Sequence, residues 1–181
     1  MAETGGRVNN RKKKKEEIPP RPRCWDWMVV SGTNHYAKNR ASFKSYRPVN
    51  RMVPIGPFQG VEVYIAGVGT VELSVRASPE EGSPTRTLVL DNVMHIPVAK
   101  CNGFCWGQYH TTHNGTVSFG STFKGTDGQG AALWFGQPFC GLQKLALAGN
   151  PQGESYLNPD EAHALSLYID EQDLRNILPS G

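Results

Sequence analysis

Along most of the chain, apolar residues come in short runs separated by turn signals, and within the runs they recur at every second position. Trp27 to Val30 reads as a strand closed by Ser31-Gly32. Val61, Val63 and Ile65 alternate with Glu62, Tyr64 and Ala66. Gly67 and Gly69 are then expected to bend the chain before Val71, Leu73 and Val75 alternate again with Glu72, Ser74 and Arg76. The SPEEGSP segment (78–84) predicts a loop, and Thr87 to Ile96 is the longest β-like run. Further short runs lie at Thr116–Phe119, Ala132–Phe135 and Leu142–Leu147. Strands at this spacing, with no helical periodicity between them, predict a barrel or sandwich. Near the C-terminus Leu165, Leu167 and Ile169 alternate as a strand from about His163. Asp170 can then cap a short helix with Asp173 at its third position and Leu174, Ile177 and Leu178 on one face. The rival is a single helix starting at Asn158-Pro159 and running to Leu178.

Composition supports the β reading and adds a division along the chain. Glycine (20) and proline (13) together make 33 of 181 residues, which argues against a helical bundle. No stretch approaches the ~20 apolar residues of a membrane span, and the opening MAETGGRVNNRKKKK lacks a hydrophobic signal segment. An intracellular protein, nuclear or cytoplasmic, with no membrane partner is the expectation. Residues 1–23 carry a net charge of +5, whereas 24–181 carry −2. The apolar-poor, basic segment 1–23 is therefore expected to be a disordered tail, because it cannot bury enough surface to offset its ordering entropy. Folded structure is expected over 24–181. Within the tail, Arg11, Lys12, Lys13, Lys14 and Lys15 read either as a solvated run or as a nuclear-import or nucleic-acid-binding segment. Cys24, Cys101, Cys105 and Cys140 are expected to be thiols.

Four blocks in order carry a resemblance. The first is Asp26-Trp27-Met-Val-Val30-Ser31-Gly32-Thr33-Asn34-His35, a hydrophobic strand running into Ser-Gly-Thr. The second is Val63-Tyr-Ile-Ala-Gly67-Val-Gly69-Thr-Val-Glu-Leu73. The third is Leu88-Val-Leu-Asp91-Asn92-Val93-Met-His-Ile96-Pro97, and the fourth Asn102-Gly-Phe-Cys-Trp-Gly107-Gln108. In order and spacing they resemble the protease segment of copia-type retrotransposon Pol polyproteins, over about residues 25–109. The resemblance implies a closed, retropepsin-like β-barrel, the fold of aspartic proteases. It also implies an Asp-[ST]-Gly carboxylate pairing with a second copy to activate water. Gly67 and Gly69 would correspond to a flap-like hairpin over the substrate.

At the decisive position the chain departs from that pattern. Val30 stands before Ser31-Gly32-Thr33, where the family pattern has aspartate, and valine can neither hold a proton nor polarise water. Asp26 lies four residues upstream, ~13 Å away on an extended strand, and is expected to be a peripheral acid. The fold signature persists while its chemistry is absent.

Other chemistry is weaker. Cys101, Cys105, His110 and His113 invite a zinc reading, but the His spacing is one residue short, and on a strand the two cysteines would lie ~13 Å apart. No metal and no cofactor is expected. His35 lacks a nucleophile and is expected to hydrogen-bond a turn after the first strand. Gly67-x-Gly69 lacks the third glycine and the βαβ setting of a dinucleotide site. Asn114-Gly-Thr116 reads as a turn. Trp25, Trp27, Tyr36, Phe43, Tyr46, Trp106, Tyr109, Trp134 and Phe135 are expected to pack in the core or at the barrel ends, since the body has no positive surplus for stacking nucleic acid. The sequence thus predicts a mainly β, proteolytically inactive protein of retrotransposon origin that binds an extended peptide or self-associates. The alternatives are a hydrolase using an unrecognised acid or metal, and a nuclear nucleic-acid binder acting through the tail.

Overall fold

A computed structural model describes residues 22–56 and 61–178. The tail expected to be disordered, with Arg11, Lys12, Lys13, Lys14 and Lys15, lies outside the described residues apart from Pro22 and Arg23. The fold is mainly β. Strand β1 (Trp27–Val30) is followed by β2 (Tyr36–Ala37), a 3-10 turn at Arg40–Ser42, and three long strands: β3 (Phe43–Pro54), β4 (Glu62–Arg76) and β5 (Thr85–His95). Then come β6 (Asn102–Cys105), helix α1 (Trp106–His113), β7 (Val117–Ser118), β8 (Lys124–Thr126), β9 (Ala132–Phe139), β10 (Leu142–Leu145) and helix α2 (Glu171–Ile177). The strands form one sheet in the order β3-β4-β5-β2-β6-β1-β10-β9-β8-β7.

β1 lies near the middle of this sheet, parallel to β6 with Val30 opposite Cys105, and antiparallel to β10 with Met28 opposite Lys144. Its run Trp-Met-Val-Val is buried on both faces, as a central strand's near-continuous apolar sequence requires. Trp27 and Val29 join a cluster with Leu73, Leu90, Phe104 and Trp134, whereas Met28 and Val30 join another with Ile65, Met94, Leu167 and Ile177. Two asparagines in the left-handed region, Asn50 (φ 52°) and Asn92 (φ 52°), sit in the register shifts of β3 and β5. Asn adopts that backbone at little cost, and the bulges curl the three-stranded ribbon.

Three expectations are corrected. The barrel is not a continuous hydrogen-bonded ring: β3 and β7 end the sheet. Among the described residues, what returns across it is one bridge, Val75 to Leu147, flanked by bonds from Arg76 N to Ala146 O (3.0 Å) and from Ala148 N to Ser74 O (2.9 Å). Gly67 and Gly69 form no hairpin; they lie inside the 15-residue strand β4. Their lack of a side chain makes room for β3 instead. A Cβ on Gly67 would stand 2.3 Å from the Tyr46 ring, and one on Gly69 would stand 1.9 Å from the Ser45 carbonyl oxygen. Finally, the predicted C-terminal strand is an extended strap making a single bridge, Gly32 to Leu167, before Asp170 caps α2 by accepting from Gln172 N (2.8 Å). The rival single helix does not form.

Candidate functional site

The signature residues converge at the C-terminal end of β1. Val30, 6% exposed, turns its side chain toward a cleft of about 610 Å³. The cleft is bounded by Val29 and Ser31, by Ile55 and Val61 at the β3–β4 connection, by Trp106 opening α1, and by the strap. Among the described residues lining it there is no Asp or Glu; His163 and Tyr168 are its titratable groups. His163 Nε2 lies 2.8 Å from the Asn158 carbonyl. The walls are predominantly aliphatic and aromatic.

Beside Val30, the Ser31–Thr33 turn grips the strap. Thr33 N donates to Leu167 O (2.8 Å), and Ile169 N donates to Thr33 Oγ1 (2.9 Å). Ser31 Oγ meets Ser166 Oγ at 2.9 Å and Tyr168 OH at 3.3 Å. Gly32 makes this approach possible. Its φ is +99°, and a Cβ there would lie 2.3 Å from the Leu167 carbonyl oxygen. From the β3–β4 connection, Gly56 N donates to Tyr168 O (3.0 Å). From β2, the Tyr36 hydroxyl donates to Leu165 O (2.6 Å), and burial pushes this phenol far above its ordinary pKa. These contacts hold an extended chain by its backbone, the mode by which β-binding sites take peptides.

Behind the turn, three polar side chains, one from the first sequence block and two from the fourth, cross-link the fold. Asn102 Nδ2 donates to Cys24 O (3.0 Å), and its Oδ1 accepts from Lys38 N (2.8 Å). Gln108 Oε1 accepts from His35 N, and Gln108 Nε2 donates to Asp91 O (3.3 Å). His35 Nδ1 accepts from Cys105 N (2.9 Å), at the residue that precedes α1. A backbone N–H can only donate, so this imidazole is neutral with its proton on Nε2. Burial accordingly lowers its pKa to about 3. His35 therefore ties β6 and α1 to the segment after β1, a wider span than the single turn expected of it.

Other sequence candidates separate in space. Asp26 lies at the opposite end of β1 from Val30, away from the cleft, yet it is buried: 4% exposed, it pairs with Lys144 Nζ (2.9 Å) and accepts from Ser155 Oγ (2.5 Å). Cys101 Sγ lies 3.5 Å from the Tyr36 hydroxyl, and burial pushes this thiol up to about 12. Cys105 Sγ donates to Gly32 O (3.4 Å). His110 Nε2 accepts from Trp134 Nε1 (3.0 Å), while His113 stacks on Tyr109. These four side chains do not converge, and among the described residues no group of three His, Cys, Asp or Glu could hold a metal ion. Trp27, Tyr36, Phe43, Tyr109, Trp134 and Phe135 are buried, as core packing requires. No described helix is long and apolar enough to cross a membrane. The strap's seat and the bridging by Asn102 and Gln108 were missed in sequence. The only available signal for the seat was the alternation at Leu165, Leu167 and Ile169.

The four blocks are thus one hydrogen-bonded unit, and the comparison with known proteins covers the same stretch of chain. Residues 27–116 match the family described as Pol polyprotein, beta-barrel domain. No curated protein and no solved structure matches the chain. The match begins at the first residue of β1 and takes in the Ser31–Thr33 turn, the β3–β5 ribbon, His35, Asn102 and Gln108. Residues 27–116 are thus a Pol polyprotein β-barrel domain, a domain of retrotransposon origin.

Proposed function

We propose that this protein is a proteolytically inactive relative of the copia-type aspartic protease segment, and that its cleft binds extended peptide segments. The observation that carries this reading is the backbone grip of Ser31–Thr33 on Leu167, made beside a valine where the resemblance has an aspartate. A peptidase of that kind needs two carboxylates sharing a proton at the end of this strand. A valine there, in a cleft whose described lining has no carboxylate, supports loss of the chemistry. The backbone donors and acceptors around it support retention of the binding mode. The unit that binds is residues 24–181, with the basic tail outside it. Incubating the pure protein with peptide libraries at pH 4–7, with and without a pepstatin-like inhibitor, tests the inactive half. No inhibitor-sensitive cleavage is expected, and such cleavage overturns the reading. Retention of labelled extended peptides from the same libraries tests the binding half, and a protein that retains none removes it.

A further inference from the structure

Residues 149–170 contain no regular strand or helix, yet their last part runs through the cleft. Leu167 and Ile169 are buried while Tyr168 between them is 46% exposed, which is the two-residue period of a bound strand. Its backbone partners, Thr33, Tyr36 and Gly56, all belong to the family-matched segment. Open space remains on both sides of it: about 610 Å³ toward Val30 and about 320 Å³ toward Ile96 and Val98. Ile55, Leu165 and Ser166 border both spaces. The strap therefore lies in a groove wider than itself. It is reached through Asn158–Ala162, five exposed residues, and followed by the short α2, anchored by Ile177.

Resting on the peptide-binding reading above, we propose that Leu165–Ile169 is an intramolecular ligand of this groove. The partner it excludes is an extended peptide of the same chemistry: apolar residues at alternate positions with hydroxyl-bearing residues between them. The apolar positions are those of Leu165, Leu167 and Ile169. The intervening hydroxyls meet Ser31, as Ser166 and Tyr168 do. Because the strap is tethered, it competes at an effective concentration on the order of millimolar, and a partner binds only by displacing it.

Insertion of a protease site between Pro159 and Asp160 of the full chain tests this. After folding and cleavage, a fluorescent peptide of residues 162–178 is added in excess. The cut protein is expected to exchange its strap for the label, while the uncut protein binds the label roughly 100-fold more weakly. A label peptide carrying Leu167→Asp is expected to fail. Equal binding by cut and uncut protein, or no exchange over days, overturns the proposal. Exchange of this peptide without retention of any library peptide would leave the strap in its seat and instead remove the reading of a site for other partners. Hydrogen exchange on the unaltered chain gives a readout that needs no variant. The amides of Thr33, Gly56 and Ile169 are expected to open together, ahead of the β4–β5 ladder. Their opening only with global unfolding would also overturn the proposal.

Discussion

Trp27 and Val29 point from β1 into a cluster enclosed by strands and α1, while Met28 and Val30, on the other face, point into a cluster that the C-terminal segment completes. The first cluster is aromatic and tightly interlocked. Phe104 and Trp134 meet edge to face with centroids 5.0 Å apart, and Phe104 also packs on Tyr109 at 5.6 Å. The second draws Leu157, Leu167, Ile169 and Ile177 from a region whose backbone joins the sheet at one bridge. A central strand that is apolar on both faces needs cover on both. Here one cover is built into the ladder and the other is laid over it. The difference teaches that burial alone does not distinguish core from lid. Leu167 at 5% exposure and Val29 at 8% are equally dry, but the backbone of only one of them is held by a regular ladder.

The largest expected effect comes from breaking the first cover. Trp134→Ala or Phe104→Ala removes a fully buried aromatic from this cluster, and about 3–5 kcal/mol of stability should be lost. Chemical denaturation measures it. A loss below about 1 kcal/mol would mean that this cluster can collapse around a void, and the contrast between the two covers would fail.

Val30→Asp probes the second cover where it borders the cleft. The described lining residues include no Lys or Arg to pair with a carboxylate there and no second carboxylate to share a proton, so stability is expected to fall by about 2–4 kcal/mol, with no cleavage activity gained. Thermal melts and a peptide-cleavage assay decide it. A variant as stable as the parent that cleaves peptides would mean that the catalytic framework is intact and lacks only its acid.

Acid should sharpen the comparison from the first side. His35 stacks on Phe104 with ring centroids 5.7 Å apart, and its burial lowers the folded-state pKa from 6.5 to about 3. Between those values the unfolded chain holds a proton that the folded protein does not. This contribution to stability is therefore complete above pH 6.5 and declines as the pH falls toward 3. The slope approaches about 1.4 kcal/mol per pH unit. His35→Asn offers Oδ1 to Cys105 N in place of Nδ1, so it should flatten the slope while keeping the acceptor. An unchanged slope would place the titration elsewhere.

What the sequence made legible follows from which residues are buried. β1, both alternating halves of β4, most of β5 and the cap at Asp170 were readable because one side chain in two, or one cap, reports them directly. β3 was not. In FKSYRPVNRMVP only Phe43 and Val53 are buried, and an edge strand carrying Lys44, Arg47, Arg51 and two prolines shows no period. α1, with Gly107 and two threonines and only Tyr109 buried, is a weak helix by propensity and is held by Gln108 and the His35 bond. Gly67 and Gly69 suggest a turn in sequence because glycine permits both a bend and a close approach, and only the β3 atoms packed on them, the Tyr46 ring and the Ser45 carbonyl, distinguish the two. The site was half legible. The valine at position 30 was plain, but the strap's seat depends on contacts 112 to 137 residues apart in sequence, which no local pattern encodes.

The smallest expected effect on global stability is also the most specific to the lid. Tyr36 belongs to β2, and its ring is packed in the second cluster, so Tyr36→Phe keeps the apolar contacts and removes one hydroxyl. That hydroxyl is the Leu165 carbonyl's donor and lies beside Cys101, a thiol that burial keeps protonated. Losing a single hydrogen bond at a partly buried carbonyl should cost about 1 kcal/mol, because water can reach Leu165 once the strap shifts. If the strap is a separate layer, that cost falls on its docking. Proteolysis at 158–162 and amide exchange at Thr33 and Ile169 should then quicken about fivefold, while exchange across β4 and β5 stays as in the parent. If the exchange of β4 and β5 quickened by the same factor, strap and barrel would open as one unit, and the two covers of β1 would not be different structures after all.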